Sequence, residues 1–325
     1  MAEHAFKSGI GAHIVLFIEQ KNACGFPYDT SARILRHFDL MVAEYFPETT
    51  TVTKDICDTW LHLRPGEHPN MLLRRVTPVR QLTKFMNGIG VSAYVLPGHI
   101  PDRQVKYEPH IYTKAEIAAF FRSVDRCPQS PFSPTRRYVI PVLFRLLYCC
   151  GLRQSEARLL RTTDVNLDNG KLVIRESKGW KTRIVYMSDD LLDVCRKYHE
   201  CIEDMMPGRE VFFPNKNDQA FNRGTIDTWF HEFWDHLPEA GKVIGNPARV
   251  HDFRHHFCIE RLNRWVEEGQ DLTALYPYLS EFMGHSNFAD TDYYLSLVDS
   301  FYPEMERRLS DLNDDILPEV CHEDR

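Results

Sequence analysis

The sequence predicts a two-domain, mainly α-helical protein whose second domain contains a small β-hairpin. Apolar residues recur at helical spacing through most of the 325 residues, and clusters of Pro and Gly separate the helical segments. Two short β-branched runs flank a turn that contains glycine, which is typical of a hairpin. With 43% hydrophobic and 26% charged residues, the chain is long enough to bury two separate cores.

The first domain is predicted to span residues 1–94 and to be entirely helical. Four segments share helix-like apolar spacing: 9–23, 30–46, 52–63 and 70–90. The stretches "CGFPYD", "FPETT" and "RPGEHPN" lie between them and contain residues that break helices. Residues 95–111 contain three prolines and no periodicity, and we interpret them as an interdomain linker.

The second domain is predicted to span residues 112–310, followed by an acidic tail at 311–325. Thr113 and Glu116 form a capping-box pattern ahead of an apolar run, and the segment 136–150 is apolar nearly all round, as in a buried helix. "KLVIRE" and "TRIVYM" flank "SKGWK" as the two strands of the hairpin. Further helical patterns follow at 189–205, 224–236, 250–264, 272–283 and 289–298.

Charge is unevenly distributed along the chain. The net charge is −7, but the last 15 residues alone contribute −5, so residues 1–310 are nearly neutral. Within them, residues 64–84 and 171–183 each hold five Lys or Arg against one Glu. These two patches are candidate phosphate-binding surfaces, and a solvated basic face is the alternative for each.

Cysteine usage and the absence of long apolar runs predict a cytoplasmic location. The nine cysteines form no C-x-x-C pair, and the adjacent Cys149 and Cys150 lie in an apolar run, where we expect buried, reduced thiols. No stretch reaches the length of a membrane span, and the N-terminus lacks the pattern of a cleaved signal peptide. We therefore expect no membrane partner.

Two small patterns indicate phosphate chemistry. Arg153 follows a glycine and precedes a helical run, so its guanidinium would lie near a helix N-terminus, where anions are favoured. His251 and Arg254 are three residues apart, which brings an imidazole and a guanidinium to one face of a helix. Each pattern is common alone.

Five motifs in order carry a family resemblance: "GLRQSE", the basic hairpin "SKGWK", "HDFRH", "GHS" and "TDYY". In these residues the second domain resembles the tyrosine recombinases, the integrase family that includes the Xer-type recombinases, Cre and phage lambda integrase. The resemblance implies a two-domain clamp around duplex DNA, with the first domain as the helical core-binding domain. It also implies site-specific cleavage and rejoining through a 3′-phosphotyrosyl bond and a Holliday junction.

The resemblance assigns roles to particular side chains. Arg153 and Arg254 match the arginines that hold the scissile phosphate, and Glu156 matches an acidic residue that supports the first arginine. Lys178 matches the hairpin lysine that protonates the leaving 5′-oxygen. Lys181 is the alternative, because it lies in the same hairpin.

The remaining roles fall on two histidines and a tyrosine. His251 matches the proton-transfer residue, and His285 matches a hydrogen-bond donor to the phosphate. Tyr294 matches the nucleophile, because it lies nine residues after His285 and three after Thr291. The adjacent Tyr293 would point about 100° away on a helix, so only one of the two tyrosines can face the phosphate.

Contacts with the DNA backbone are predicted for the basic residues of the two patches: Arg64, Arg74, Arg75, Arg80, Lys84, Lys181 and Arg183. Neither a cofactor nor a metal ion is expected. His251 and His255 are four residues apart and could bind a metal, but the motif lacks the glutamate of H-E-x-x-H. We therefore expect structural roles for His255 and His256.

The resemblance further implies double-stranded DNA with short inverted-repeat core sites as the partner. The protein would assemble on it as a homotetramer or with a related recombinase. The first helix begins close to residue 1, which favours an Xer-like or mobile-element enzyme without an arm-binding domain. The segment 296–312 has apolar spacing and could be exchanged between subunits. Alternatives are a type IB-like DNA topoisomerase and a DNA-binding accessory protein that has lost catalysis.

Overall fold

The computed structural model describes residues 6–26, 28–62, 64, 66–98, 108–175, 182–240, 247–284, 291–292 and 294. The chain divides into two compact units, Met1–Tyr107 and Glu108–Arg325, which we call the first and second units. The division falls within the segment that the sequence suggests is a linker. The described part is mainly helical with one small antiparallel sheet, as predicted.

The described residues of the first unit form four helices: α1 (Gly11–Ala23), α2 (Asp29–Tyr45), α3 (Lys54–Leu61) and α4 (Pro69–Gly88). All four were expected from the apolar spacing, and their apolar faces form one core that includes Phe17, Phe38, Trp60 and Leu82. The core residues of α2 and α4 recur every three or four positions, so one stripe of each helix is buried.

The second unit begins with α5 (Lys114–Val124) and α6 (Arg136–Cys150). The predicted capping box of α5 is present: the Thr113 hydroxyl accepts from the Glu116 N–H at 3.2 Å, and the Glu116 carboxylate accepts from the Thr113 N–H at 2.7 Å. Helix α6 is buried along most of its length and packs against the helices that follow it. The predicted burial of Cys149 was wrong. Consecutive residues of a helix diverge by about 100°, and of this pair only Cys150 faces the core.

A short helix, α7 (Gln154–Arg158), leads through a 3₁₀ turn into three strands: β1 (Val165–Asn166), β2 (Lys171–Ile174) and β3 (Arg183–Tyr186). The sheet order is β1-β2-β3 with antiparallel pairing, and Leu172 lies opposite Val185. Strands β2 and β3 are the predicted hairpin, and β1 was not predicted. Residues 176–181 between them lie outside the described residues.

Four more helices follow: α8 (Asp189–Met205), α9 (Arg223–Trp234), α10 (Asp252–Glu267) and α11 (Leu272–Met283). The predicted helix at 289–298 is described only at residues 291, 292 and 294, which are helical. The main core of the unit lies among α5, α6, α8, α9 and the sheet. A smaller core joins α10 to α11 and includes Tyr294.

Candidate active site

Arg153 lies at the junction between α6 and α7. Helix α6 ends at Gly151, whose φ of 57° is left-handed and readily adopted only by glycine. A Cβ at Gly151 would lie 2.6 Å from a ring carbon of Phe257, so a larger residue would also clash there. This turn leaves Arg153 at the N-terminal boundary of α7, as the sequence predicted.

The Glu156 carboxylate joins two arginines from different elements. Arg153 donates from its main-chain N–H at 2.9 Å and from Nη1 at 2.8 Å, and Arg183 of β3 donates from Nη1 at 2.9 Å and Nη2 at 2.8 Å. Burial alone would raise the pKa of the Glu156 carboxyl, but the hydrogen bonds and charge of Arg183 lower it to about 2. Glu156 is therefore a permanent anion that fixes the position of Arg153.

Arg254 is the largest fully buried side chain of the described residues, with 2% of it exposed. It donates from Nη1 to the carbonyl of Gly151 at 2.7 Å and from Nη2 to the carbonyl of Met283. Arg153 donates from Nη2 to the carbonyl of the next residue, Gly284, at 2.8 Å. The two guanidinium groups are thus held at consecutive carbonyls at the end of α11. Burial and the charge of Arg153 lower the pKa of Arg254 to about 10, which leaves it protonated at pH 7.

His251 precedes α10 and, together with Arg153, lines a cleft of about 530 Å³. The residue as a whole is exposed to solvent. The loss of hydration caused by the surrounding protein lowers the pKa of His251 to about 4, and the charges of Arg254 and Arg249 contribute to this shift. The imidazole is therefore neutral at pH 7 and can accept a proton.

Tyr294 packs into the core between α10 and α11, with 3% of the residue exposed. Its hydroxyl lies 3.0 Å from Nδ1 of His255, and the two ring centroids are 5.4 Å apart. The pKa of Arg254 responds to the charge of Tyr294, so the hydroxyl is electrostatically coupled to Arg254. Arg153, His251, Arg254 and Tyr294 thus come together from three separate stretches of the sequence.

Four of the residues singled out by the sequence lie outside the described residues: Lys178, Lys181, His285 and Tyr293. Their predicted roles remain predictions.

Two predicted DNA contacts do not fit the structure. Arg75 and Arg183 are buried, and each guanidinium is paired with a glutamate and donates to at least one main-chain carbonyl. Both arginines therefore have structural roles. Of the other patch residues of the first unit, Arg64, Arg74 and Lys84 are exposed, and Arg80 is half-buried with Nε donating to the Leu96 carbonyl at 3.1 Å.

Sequence reasoning missed three residues at this site. His255 contacts the tyrosine, although its place directly after Arg254 gave a signal that could have been followed along the helix. Arg249 lines the cleft two residues before His251. Arg223, at the start of α9, lines the same cleft, and no pattern in the sequence connects it with the other motifs. His256 has the structural role that was expected, stacked on Tyr148 with ring centroids 5.4 Å apart.

Two other features are absent from the part of the chain that the structure describes: a metal-binding cluster and a membrane-spanning helix. No group of three His, Cys, Asp or Glu side chains there is arranged to hold a metal ion. No helix there is long and apolar enough to span a membrane.

Comparison with known proteins gives matches over both units. The model of the phage integrase family matches residues 113–300. The integrase/recombinase y4rE of Sinorhizobium fredii is 29% identical over 304 residues, which cover 90% of this chain and 93% of the relative. The tyrosine recombinase XerA of Thermococcus kodakarensis is 29% identical and covers 73% of this chain and 74% of its own.

Solved structures share the fold at low sequence identity. The XerH site-specific recombinase bound to palindromic difH substrate, in a post-cleavage complex, has a TM-score of 0.64 and 16% identity, and covers 86% of this chain and 78% of its own. A lambda integrase dimer bound to a COC′ core site has a TM-score of 0.61 and 12% identity, and covers 87% of this chain and 94% of its own.

Proposed function

Because this chain belongs to the phage integrase family of tyrosine recombinases, we propose that it cuts and rejoins DNA at specific sites through a covalent bond to Tyr294. The proposal depends on one observation. Two guanidinium groups anchored on main-chain carbonyls, a neutral imidazole and a tyrosine hydroxyl converge in the second unit. Arg153 and Arg254 bind carbonyls of consecutive residues, and Tyr294 lies against the helix that carries Arg254.

The arginine pair supplies the electrostatic part of the reaction. A phosphodiester that enters the site would place its non-bridging oxygens between Arg153 and Arg254, each of which has further N–H groups to donate. The pentavalent transition state carries more negative charge than the ground state, so preorganised cations stabilise it preferentially. Glu156 keeps Arg153 in place, and its negative charge offsets part of the repulsion between Arg153 and Arg254.

Proton transfers complete the reaction. A phenol with an ordinary pKa near 10 is a weak nucleophile at pH 7 and needs cationic neighbours and a proton acceptor. We propose that His251 takes part in proton transfer, that His285 donates to the phosphate, and that Lys178 protonates the leaving 5′-oxygen. The phosphotyrosyl bond retains the energy of the broken phosphodiester, so rejoining to a new 5′-hydroxyl needs no ATP.

DNA binding is assigned to both units. We propose that residues 1–94 form a core-binding domain whose exposed Arg64, Arg74 and Lys84 contact phosphates, and that residues 112–310 form the catalytic domain. The substrate would be a short inverted-repeat core site on double-stranded DNA. Four subunits would assemble on two such sites and pass through a Holliday junction, with 311–325 as an acidic tail. Several solved neighbours are recombinases bound to DNA, which supports this class of partner.

The test begins with a pool of duplexes that carry inverted repeats of randomised sequence. Wild-type protein should retain a subset through an SDS wash, and these sequences then supply a core site. A duplex of that site with a nick beside the scissile phosphate traps the intermediate, because the short cleaved product diffuses away. Wild type should form an SDS-stable protein–DNA adduct.

Matched tyrosine variants identify the nucleophile. Tyr294→Phe should abolish the adduct while it still shifts the duplex in a gel, whereas Tyr293→Phe should retain it. An adduct that persists in Tyr294→Phe would contradict the assignment. Mass photometry of wild type with paired sites should give four subunits on two duplexes, and a monomer that relaxes supercoils without recombinant products would contradict it.

A further inference from the structure

His255 occupies a position that the proposed roles leave unused. It is half-buried on α10, one residue after Arg254 and four after His251. Its ring contacts His251 edge to face, with centroids 4.9 Å apart, and Tyr294 at 5.4 Å. One imidazole therefore contacts both the cleft histidine and the tyrosine.

The contact with Tyr294 is made by Nδ1 of His255, a ring nitrogen that can accept a proton. Nδ1 of His255 lies 3.0 Å from the Tyr294 oxygen, within the range of a hydrogen bond. When the imidazole is neutral with its proton on Nε2, Nδ1 accepts the hydroxyl proton. In the other tautomer Nδ1 would donate to the oxygen and would oppose its deprotonation.

We propose that His255 is the base that accepts the Tyr294 proton as the tyrosine oxygen attacks the scissile phosphate. The inference rests on the proposed function and adds a catalytic residue to it. As the bond from the Tyr294 oxygen to phosphorus forms, the electron pair of the O–H bond stays on the oxygen. The proton moves to Nδ1 of His255. The bond from phosphorus to the 5′-oxygen breaks, and that oxygen takes a separate proton from the donor proposed above, Lys178. On rejoining, the attacking 5′-hydroxyl gives its proton to Lys178, the bond from phosphorus to the Tyr294 oxygen breaks, and His255 returns its proton to the tyrosine.

The surroundings of the two histidines support this division of roles. A base near the reacting oxygen must lie within hydrogen-bonding distance, and His255 meets that requirement. His251 lies among Arg254, Arg249 and the cleft, where burial and positive charge weaken it as a base. His255 rather than His251 thus serves the nucleophile, and the role of His251 lies in the other proton transfers of the reaction.

The experiment measures single-turnover adduct formation by His255→Asn on two nicked duplexes. Asn preserves a hydrogen-bonding group near the Nδ1 position but has no basicity. One duplex has the natural 5′-oxygen at the scissile bond and the other a 5′-sulfur, which leaves as a thiolate and needs little protonation. We expect His255→Asn to lose about 10²- to 10⁴-fold in rate, equally on both duplexes.

Two variants calibrate that result. Lys178→Ala should be slow on the oxygen substrate and recover on the sulfur one. His256→Asn changes the neighbouring histidine, which stacks on Tyr148, and should cleave within about threefold of wild type once corrected for the folded fraction. A His255→Asn rate within threefold of wild type, a faster rate, or recovery on sulfur would overturn the inference. If wild type forms no adduct, the proposed function itself fails.

A measurement on the unaltered protein keeps the inference testable if His255→Asn does not fold. Nitrogen chemical shifts of ¹⁵N-histidine-labelled wild type distinguish the two neutral tautomers. We expect His255 to carry its proton on Nε2, with Nδ1 hydrogen-bonded, and this signal to change in Tyr294→Phe. A proton on Nδ1 would overturn the inference.

Discussion

Each unit buries an arginine against a glutamate, and the two pairs differ in what else the carboxylate binds. In the first unit, Arg75 donates to Glu67 from Nε at 2.8 Å and from Nη2 at 2.9 Å, and it lies over the Trp60 ring. In the second unit, Arg183 also makes two hydrogen bonds to one glutamate, from Nη1 at 2.9 Å and Nη2 at 2.8 Å to Glu156, but Glu156 also binds Arg153. The same chemical pair therefore fastens a loop to a helix in one unit and positions a reactive group in the other.

The largest expected difference separates Glu156→Gln from Glu67→Gln. Each substitution leaves a buried arginine without its anion, so we expect each to cost about 3–5 kcal/mol of stability in its own unit. Glu156→Gln should also slow single-turnover adduct formation by at least about 100-fold, because Arg153 loses its support. Urea unfolding and adduct kinetics measure both effects. Adduct formation by Glu67→Gln, per folded molecule, should stay near the wild-type rate, and an equal loss in both variants would contradict the comparison.

The second prediction concerns acid. The pKa of Glu156 is about 2 in the folded protein, below its ordinary value of 4.5, so the unfolded chain binds the proton more readily. The contribution of Glu156 to stability, about 3 kcal/mol, is complete above pH 4.5 and is lost as the pH falls towards 2. Denaturation curves of Glu156→Gln should lack this part of the pH dependence. A variant with the same slope as wild type between pH 4.5 and 2 would contradict the assignment.

His251 should have a smaller effect in a different pH range. Its folded pKa of about 4 lies below its ordinary value of 6.5, so protonation is less favourable in the folded state. Stability is therefore unaffected above pH 6.5 and falls as the pH decreases from 6.5 to 4. His251→Asn should flatten the stability curve in that range only. Because His251 is an exposed residue, solvent screening keeps the effect below that of Glu156.

The smallest expected effect distinguishes two neighbouring arginines. Arg74 is exposed and Arg75 is buried, so only Arg74 can contribute to phosphate binding. Arg74→Ala should reduce the slope of log K against log salt concentration by about 0.9, and Lys84→Ala should do the same. Arg75→Ala should destabilise the first unit and leave the slope of the folded protein unchanged. Fluorescence anisotropy at several salt concentrations measures the slopes, and a reduced slope for Arg75→Ala would contradict the structural role.

The helices and the hairpin could be predicted because their apolar periodicity is local. The burial of Arg75 could also have been predicted from periodicity. Arg75 lies three residues after Leu72 and four before Val79, on the buried stripe of α4. The burial of Arg183 was harder to predict from the sequence. Ile184 and Val185 are both apolar, so the sequence does not say which face of β3 is buried, and the structure buries Arg183 with Val185.

The partners of the site residues could not be predicted in the same way. The resemblance identified Arg153, Arg254 and Tyr294, but Glu156 needs Arg183 from another element to reach its low pKa. The position of His255 beside Tyr294 depends on how residue 294 packs on α10, which no local pattern encodes. Pairings between distant segments are therefore the part that needed a structure.

The carbonyls that hold the two arginines have a consequence for how the chain acquires its activity. Arg153 binds Gly284, 131 residues further along, and Arg254 binds Gly151, 103 residues back. Both glycines have a left-handed backbone conformation and end a helix. Each hydrogen bond therefore forms only after that helix end is in place and the distant segments have met. Contacts of such long sequence separation are slow to form. A partly folded chain therefore lacks the paired guanidinium groups, and we expect activity only once these distant segments have met.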